Sequence, residues 1–168
     1  MVTLFPGLRA AKAINLVLKK VVATSDMHTS CDIHLNGTRL GSFVDHGDGG
    51  HANFVVINKH RDLLFAALRQ GSLPCLPSLP AEGIIFDPAT MNDHEYAASV
   101  FFNLIGETQS LKSIKRKAKT NTLVVFTDYS PGEYATYKIP FNEESKKAVI
   151  AKFGDRISFF VNEDILSA

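Results

Sequence analysis

Apolar and polar positions recur along this chain at two periods, and these divide it into elements. Over residues 8–22, Ile14, Val17, Leu18, Val21 and Val22 fall at i, i+3, i+4, i+7 and i+8. That is the stripe of an amphipathic helix, with Arg9, Lys12, Asn15, Lys19 and Lys20 on its other side. Residues 31–45 instead alternate with period two about Asn36-Gly37. A two-residue type I′ turn needs positive φ at both centres, which Asn and Gly accept, so the pair predicts a β-hairpin. With that loop, Leu35 faces Thr38, Ile33 faces Leu40 and Cys31 faces Ser42. One face then carries Cys31, Ile33, Leu35, Thr38, Leu40, Ser42 and Val44. The other carries Asp32, His34, Arg39, Gly41, Phe43 and Asp45.

His51 to Ile57 reads as a third strand. Asn58 suits the N-cap of a helix over about Lys59 to Arg69, with Leu63, Leu64, Ala67 and Leu68 inward. Residues 70–83 hold three prolines and two glycines and read as a loop, the one candidate internal linker. Asn92 or Asp93 can cap a helix over His94 to Ile105, with Tyr96, Val100, Phe101, Leu104 and Ile105 inward. A second helix follows from Glu107 to about Lys119. Residues 122–127 and 133–139 form another hairpin around Tyr129-Ser130-Pro131-Gly132. Asn142 caps a last helix, with Glu143 and Glu144 at its positive end and Gly154 in the C′ position. A strand over Arg156 to Val161 closes the pattern. The expected fold is α+β: a single domain over 1–168, two antiparallel hairpins in one or two sheets, packed by four or five helices.

Composition narrows the function classes. With 45% hydrophobic residues, twelve Phe and 168 residues, one core can be filled. A formal net charge of +1 gives no global field toward nucleic acid or an anionic membrane, so such a partner needs a local patch. Cys31 and Cys75 are far apart and make neither a disulfide scaffold nor a zinc knuckle, which fits a reduced, cytoplasmic setting. No apolar run reaches the roughly 18 residues of a membrane span, and the first residues carry their charges where a signal peptide would not.

Candidate chemistry concentrates in "FVDHGDGGHANF", residues 43–54. His28, His34, His46 and His51 lie within 24 residues, mixed with Asp26, Asp32, Asp45 and Asp48. Imidazole and carboxylate together suit a divalent metal that could activate water for phosphoester hydrolysis. The hairpin register argues against one site, since His34 and Asp45 would stand roughly 20 Å apart along the ladder. The surviving constellation is His28, Asp45, Asp48 and His51, with His46 beside it. The bland alternative, surface histidines around a bend, is favoured, and no cofactor or metal is expected. Gly47, Gly49 and Gly50 could form an anion nest, but a strand follows where a phosphate loop needs a helix. A bulged turn whose glycines take positive φ fits better. Cys31 falls on the apolar hairpin face, which suits a core thiol rather than a thiolate, and no nucleophile motif occurs.

Two segments are basic. Arg9, Lys12, Lys19 and Lys20 form one. In the other, five charges fall within residues 112–119, and Lys112, Lys115 and Lys119 line one helical stripe with Arg116 adjacent. Such a stripe can track phosphates or an acidic protein surface.

"LNGTRLGSFVDHGDGGHANF" is similar to a hairpin in small uncharacterised proteins of phages and mobile elements in bacteria, where N-G-x-x-x-G runs into a (D/N)-x-G-x-G-G turn. The tail "KTNTLVVFTDYSPGEYATYKIPFNEESKKAVIAKFGDRISFFVNEDI" resembles theirs in outline, ending in an Asn-Glu pair. The resemblance covers residues 31–57 and 111–165. It implies a mobile-element accessory protein, with inhibition of a host defence system, such as an anti-CRISPR role, as an extension. It brings no catalytic residue. The reading is a non-enzymatic binding protein that occludes an acidic protein or nucleic-acid partner. The alternatives are a metal-dependent phosphoesterase or nuclease using His28, Asp45, Asp48 and His51, and a simple nucleic-acid binder.

Overall fold

A computed structural model describes residues 3–165. Among them it holds five α-helices and two antiparallel sheets, an α+β fold. The chain divides into two compact units. Gly7–Thr108 is one; the other comprises Met1–Pro6 and Gln109–Ala168, so far as these are described. The boundaries fall at Pro6/Gly7 and inside a helix at Thr108/Gln109, not in the loop over 70–83.

The expected helix over 8–22 is a short helix, α1 (Pro6–Ala13), followed by a strand, β1 (Leu16–Ala23). Asn15 takes φ 54, a left-handed conformation that Asn accepts and that ends the helix. Its carbonyl then accepts the Asn36 N–H at 3.0 Å, tying the junction to the first hairpin turn. β1 runs antiparallel to β2 (Thr29–Leu35), with Leu16 opposite Leu35 and Leu18 opposite Ile33. Its ladder shifts between Lys19 and Val22, where Lys20 has φ 49. That bulge spaces the inward residues as Leu16, Leu18 and Val21, two and then three apart, which imitates a helical period.

β2 turns at Asn36-Gly37, both at positive φ, into β3 (Thr38–Asp45), and Leu35 faces Thr38 as the turn chemistry requires. Beyond that pair the expected register fails. A second bulge between Ile33 and His34 places Ile33 opposite Gly41 and Cys31 opposite Phe43. The extra residue turns Phe43 into the core, fully buried, while Leu40 also stays buried. Gly41 is required here: with φ 155, an added Cβ would stand 2.2 Å from the Val55 carbonyl oxygen of the next strand. That strand, β4 (Asn53–Val56), completes the order β1-β2-β3-β4.

α2 (Asn58–Gln70) buries Leu64 and Leu68 completely but leaves Leu63 half exposed. Asn58 is its first residue rather than its cap, and its side-chain oxygen accepts from Arg61. The loop that follows is pinned from inside: the buried Tyr96 hydroxyl donates to the carbonyls of Leu73 (2.7 Å) and Leu68 (3.2 Å). Where two helices were expected, one continuous helix runs as α3 (Asp93–Ala118). Gly106 lies within it with open space around its Cα, and the helix cost of one glycine, about 1 kcal/mol, does not break 26 residues. Asn92 caps it reciprocally with Glu95, each backbone N–H bonding the other's side chain. Tyr96, Val100, Phe101, Leu104 and Ile105 face the core as the spacing predicted.

In the second unit β5 (Thr122–Phe126) is central, flanked by β6 (Ala135–Tyr137) and β7 (Ile157–Phe160). α4 (Glu143–Phe153) packs Val149 against this sheet and is capped by an Asn142/Ser145 box. A short helix missed in the sequence pattern, α5 (Val161–Asp164), follows β7 and carries the buried Asn162.

Candidate functional site

The histidine–aspartate turn is assembled by backbone conformation. Gly47 (φ 71) and Gly49 (φ 81) are left-handed, whereas Gly50 is not. A Cβ on Gly47 would meet the Asp26 carbonyl oxygen at 2.5 Å, so the β3–β4 turn lies directly on the β1–β2 turn. Asp48 is used within the loop, accepting the Gly50 N–H at 2.9 Å. His28 and His46 face each other with ring centroids 5.7 Å apart. The bulge places Asp45 opposite Thr29 instead of His28. Among the described residues, no group of three or more His, Cys, Asp or Glu side chains is placed to hold a metal ion.

His51, just before β4, lines a cleft of about 510 Å³ together with the loop over 76–91 and the first turns of α3. Phe102, Ala98 and Leu76 form apolar lining, and His51, His94 and Glu95 supply polar groups. His94 packs its ring edge-on against Phe54 at 5.5 Å. Glu95 is committed to the helix cap and the Ser99 hydroxyl accepts the Leu76 N–H at 3.1 Å. Among the described residues no hydroxyl or thiol hydrogen-bonds a histidine ring, the Thr24 hydroxyl meeting only the His28 backbone carbonyl, so no nucleophile–base pair is formed there. Cys31 is a core thiol, and burial pushes it up to about 12. Burial also raises Cys75, against the opposing effect of the Ser99 hydroxyl. The sequence pattern did not find this cleft, because His94 reads simply as a first-turn helix residue.

The two basic segments part company. Arg9 and Lys12 lie on α1 while Lys19 and Lys20 lie on β1, so the four do not share one helical face. A segment without acids is also not a surface without acids. Asp32 on β2 pairs with Lys20 at 3.1 Å and with Arg39 at 2.8 Å. The two cations, Arg39 first, hold its carboxyl below the usual carboxylate range. By contrast, Lys112, Lys115 and Arg116 on α3, and Lys119 just past its end, are all exposed. None of these four joins an ion pair among the described residues. Lys117, between them, donates to the Tyr134 hydroxyl at 3.0 Å and lies 5.5 Å from its ring, bringing an aromatic hairpin to the basic helix end.

Comparison with protein-family models, curated proteins and solved structures gives no match. No helix among the described residues is long and apolar enough to cross a membrane.

Proposed function

We propose that this chain is a non-enzymatic binding protein that occludes an acidic partner, with Lys112, Lys115, Arg116 and Lys119 as its contact surface. One contrast carries the reading. Lys20, Arg39, Arg69, Lys146 and Arg156 each reach a carboxylate, while these four exposed cations, gathered within eight residues, reach none among the described residues. Some of their charge complements the negative end of α3, a local effect of about 0.3–1 kcal/mol that does not need four cations. Tyr134 beside Lys117, and Tyr129 on the same hairpin, add faces on which a base or another aromatic can stack. The phage-type setting, and inhibition of a host defence system within it, follow from the resemblance of the hairpin and tail.

The test is charge reversal of Lys112 and Lys115 together, with binding followed at two salt concentrations after capture of partners with and without nuclease. For a nucleic-acid partner, the slope of log affinity against log salt should fall by roughly 0.7–0.9 for each phosphate that is no longer neutralised. For a protein partner, association should slow more than dissociation accelerates. Wild-type binding by the reversed variant refutes the assignment.

A further inference from the structure

Each edge strand of a sheet presents backbone N–H and C=O groups that its neighbour does not use, and proteins guard such edges with charge or bulges. The two edges of the four-stranded sheet differ in this respect. β1 carries Lys19 and Lys20 and is bulged where Lys20 takes φ 49. β4 has neither guard. Its ladder to β3 runs without a shift from Asn53 to Val56, and residues 51–58 contain no acid, lysine, arginine or proline. Among the described residues, the β4 backbone makes no hydrogen bond outside that ladder. Ile57 continues it in an extended conformation, φ −63 and ψ 146. The exposed side chains are apolar: Val55 is 63% exposed, Ile57 64%, and Leu63 on the adjoining helix 53%.

We propose that β4 is a self-association edge, along which a second copy of this chain adds antiparallel about a two-fold axis. Two-fold pairing sets a strand against its own reversal, so a charged edge opposes itself and a neutral one does not. β4 is neutral through its whole extended length, and β1 is not. An axis through Val55 pairs Val55 with its copy and Asn53 with Ile57, placing the two Val55 side chains together at the centre of the exposed face. The same axis pairs Phe54 with Val56 on the core face. The unused backbone groups then gain partners, and the two four-stranded sheets become one.

Sedimentation of the full chain from about 1 µM to about 1 mM tests this, since edge pairing over one short strand falls within that affinity range. The expected result is a monomer–dimer equilibrium. Val55→Lys, at an exposed position, should weaken it at least about tenfold, or 1.4 kcal/mol. Lys19→Gln on the opposite edge should leave it unchanged. Added salt should not weaken the dimer, which separates this edge from the basic stripe. If Val55→Lys does not fold, Ile57→Lys reads the same edge. Amide exchange at residues 54–56 should slow as concentration rises. A monomer throughout, or a dimer that survives both lysine variants, overturns the proposal, as does equal weakening by Lys19→Gln.

Discussion

The core of Gly7–Thr108 closes on rings, and the core of the other unit closes on an amide. Phe43 lies 5.3 Å from both Phe101 and Phe102 and 5.2 Å from Phe54, whose ring also meets Phe65 edge-on. In the other unit Asn162, 6% exposed, donates to the Asn121 carbonyl at 2.9 Å and the Ala118 carbonyl at 3.3 Å. Its oxygen accepts the Leu123 N–H at 2.7 Å, so one side chain ties the end of α3 to the central strand β5. The difference lies in what each can lose. Apolar burial is non-directional and tolerates another apolar residue of similar bulk. The amide serves three backbone groups in fixed directions, and no apolar residue of its size can replace it.

The largest effect should come from Phe43→Ala, which removes the ring shared by those contacts and should cost about 3–5 kcal/mol in denaturant unfolding. Asn162→Leu should follow at about 3 kcal/mol, because it leaves two carbonyls and one N–H unpaired in a buried setting. Phe43→Leu sharpens the contrast, with an expected cost near 1.5 kcal/mol. Equal costs for Phe43→Leu and Asn162→Leu would break the comparison.

The turn beneath the first unit comes next. Gly47→Ala should cost more than about 1 kcal/mol, because both its φ and the Asp26 carbonyl oppose a Cβ. Gly49→Ala meets strain in φ alone, and Gly50→Ala meets neither left-handed strain nor a backbone clash, so thermal melting should rank them in that order. A rank reversal, or a loss of activity with stability intact, would make the loop a site rather than a support.

The smallest effect concerns Asp32, partly buried between Arg39 and Lys20 on the sheet. Its carboxyl is held down in the folded state by those cations. The stability it adds is therefore present above the unfolded carboxylate range and is lost as pH falls through the folded value, below about pH 4. Asp32→Asn should flatten that acid limb of a pH–stability curve and leave neutral pH almost unaffected. Salt should mute the difference further.

Much of the architecture was legible because it depends on short-range chemistry. Asn36-Gly37 specified its turn, Asn142 and Gly154 bracketed α4, and the 3.6-residue stripe from Tyr96 to Ile105 found its buried face. The histidines close in sequence did not become one ligand set, since His51, in the loop before β4, lines the cleft while His28 and His46 stay at the turns. The α3 stripe was visible as a run of cations. Which of the two basic segments would have a cation paired was not visible, because Asp32 reaches Lys20 from a neighbouring strand.

By itself, then, the sequence determined the Asn36-Gly37 turn, the Asn142 cap and the buried face of α3, each settled among residues a few positions apart. The tertiary structure alone decided that residues 16–23 are strand and that Phe43 points inward. Both depend on a bulge, which shifts the inward series by one residue and lets spacings of two and three imitate a helical stripe. Only a partner strand selects between such readings. Leu35 and Ile33 supply it for β1, and the carbonyl of Val55, pressed against Gly41, fixes it for β3.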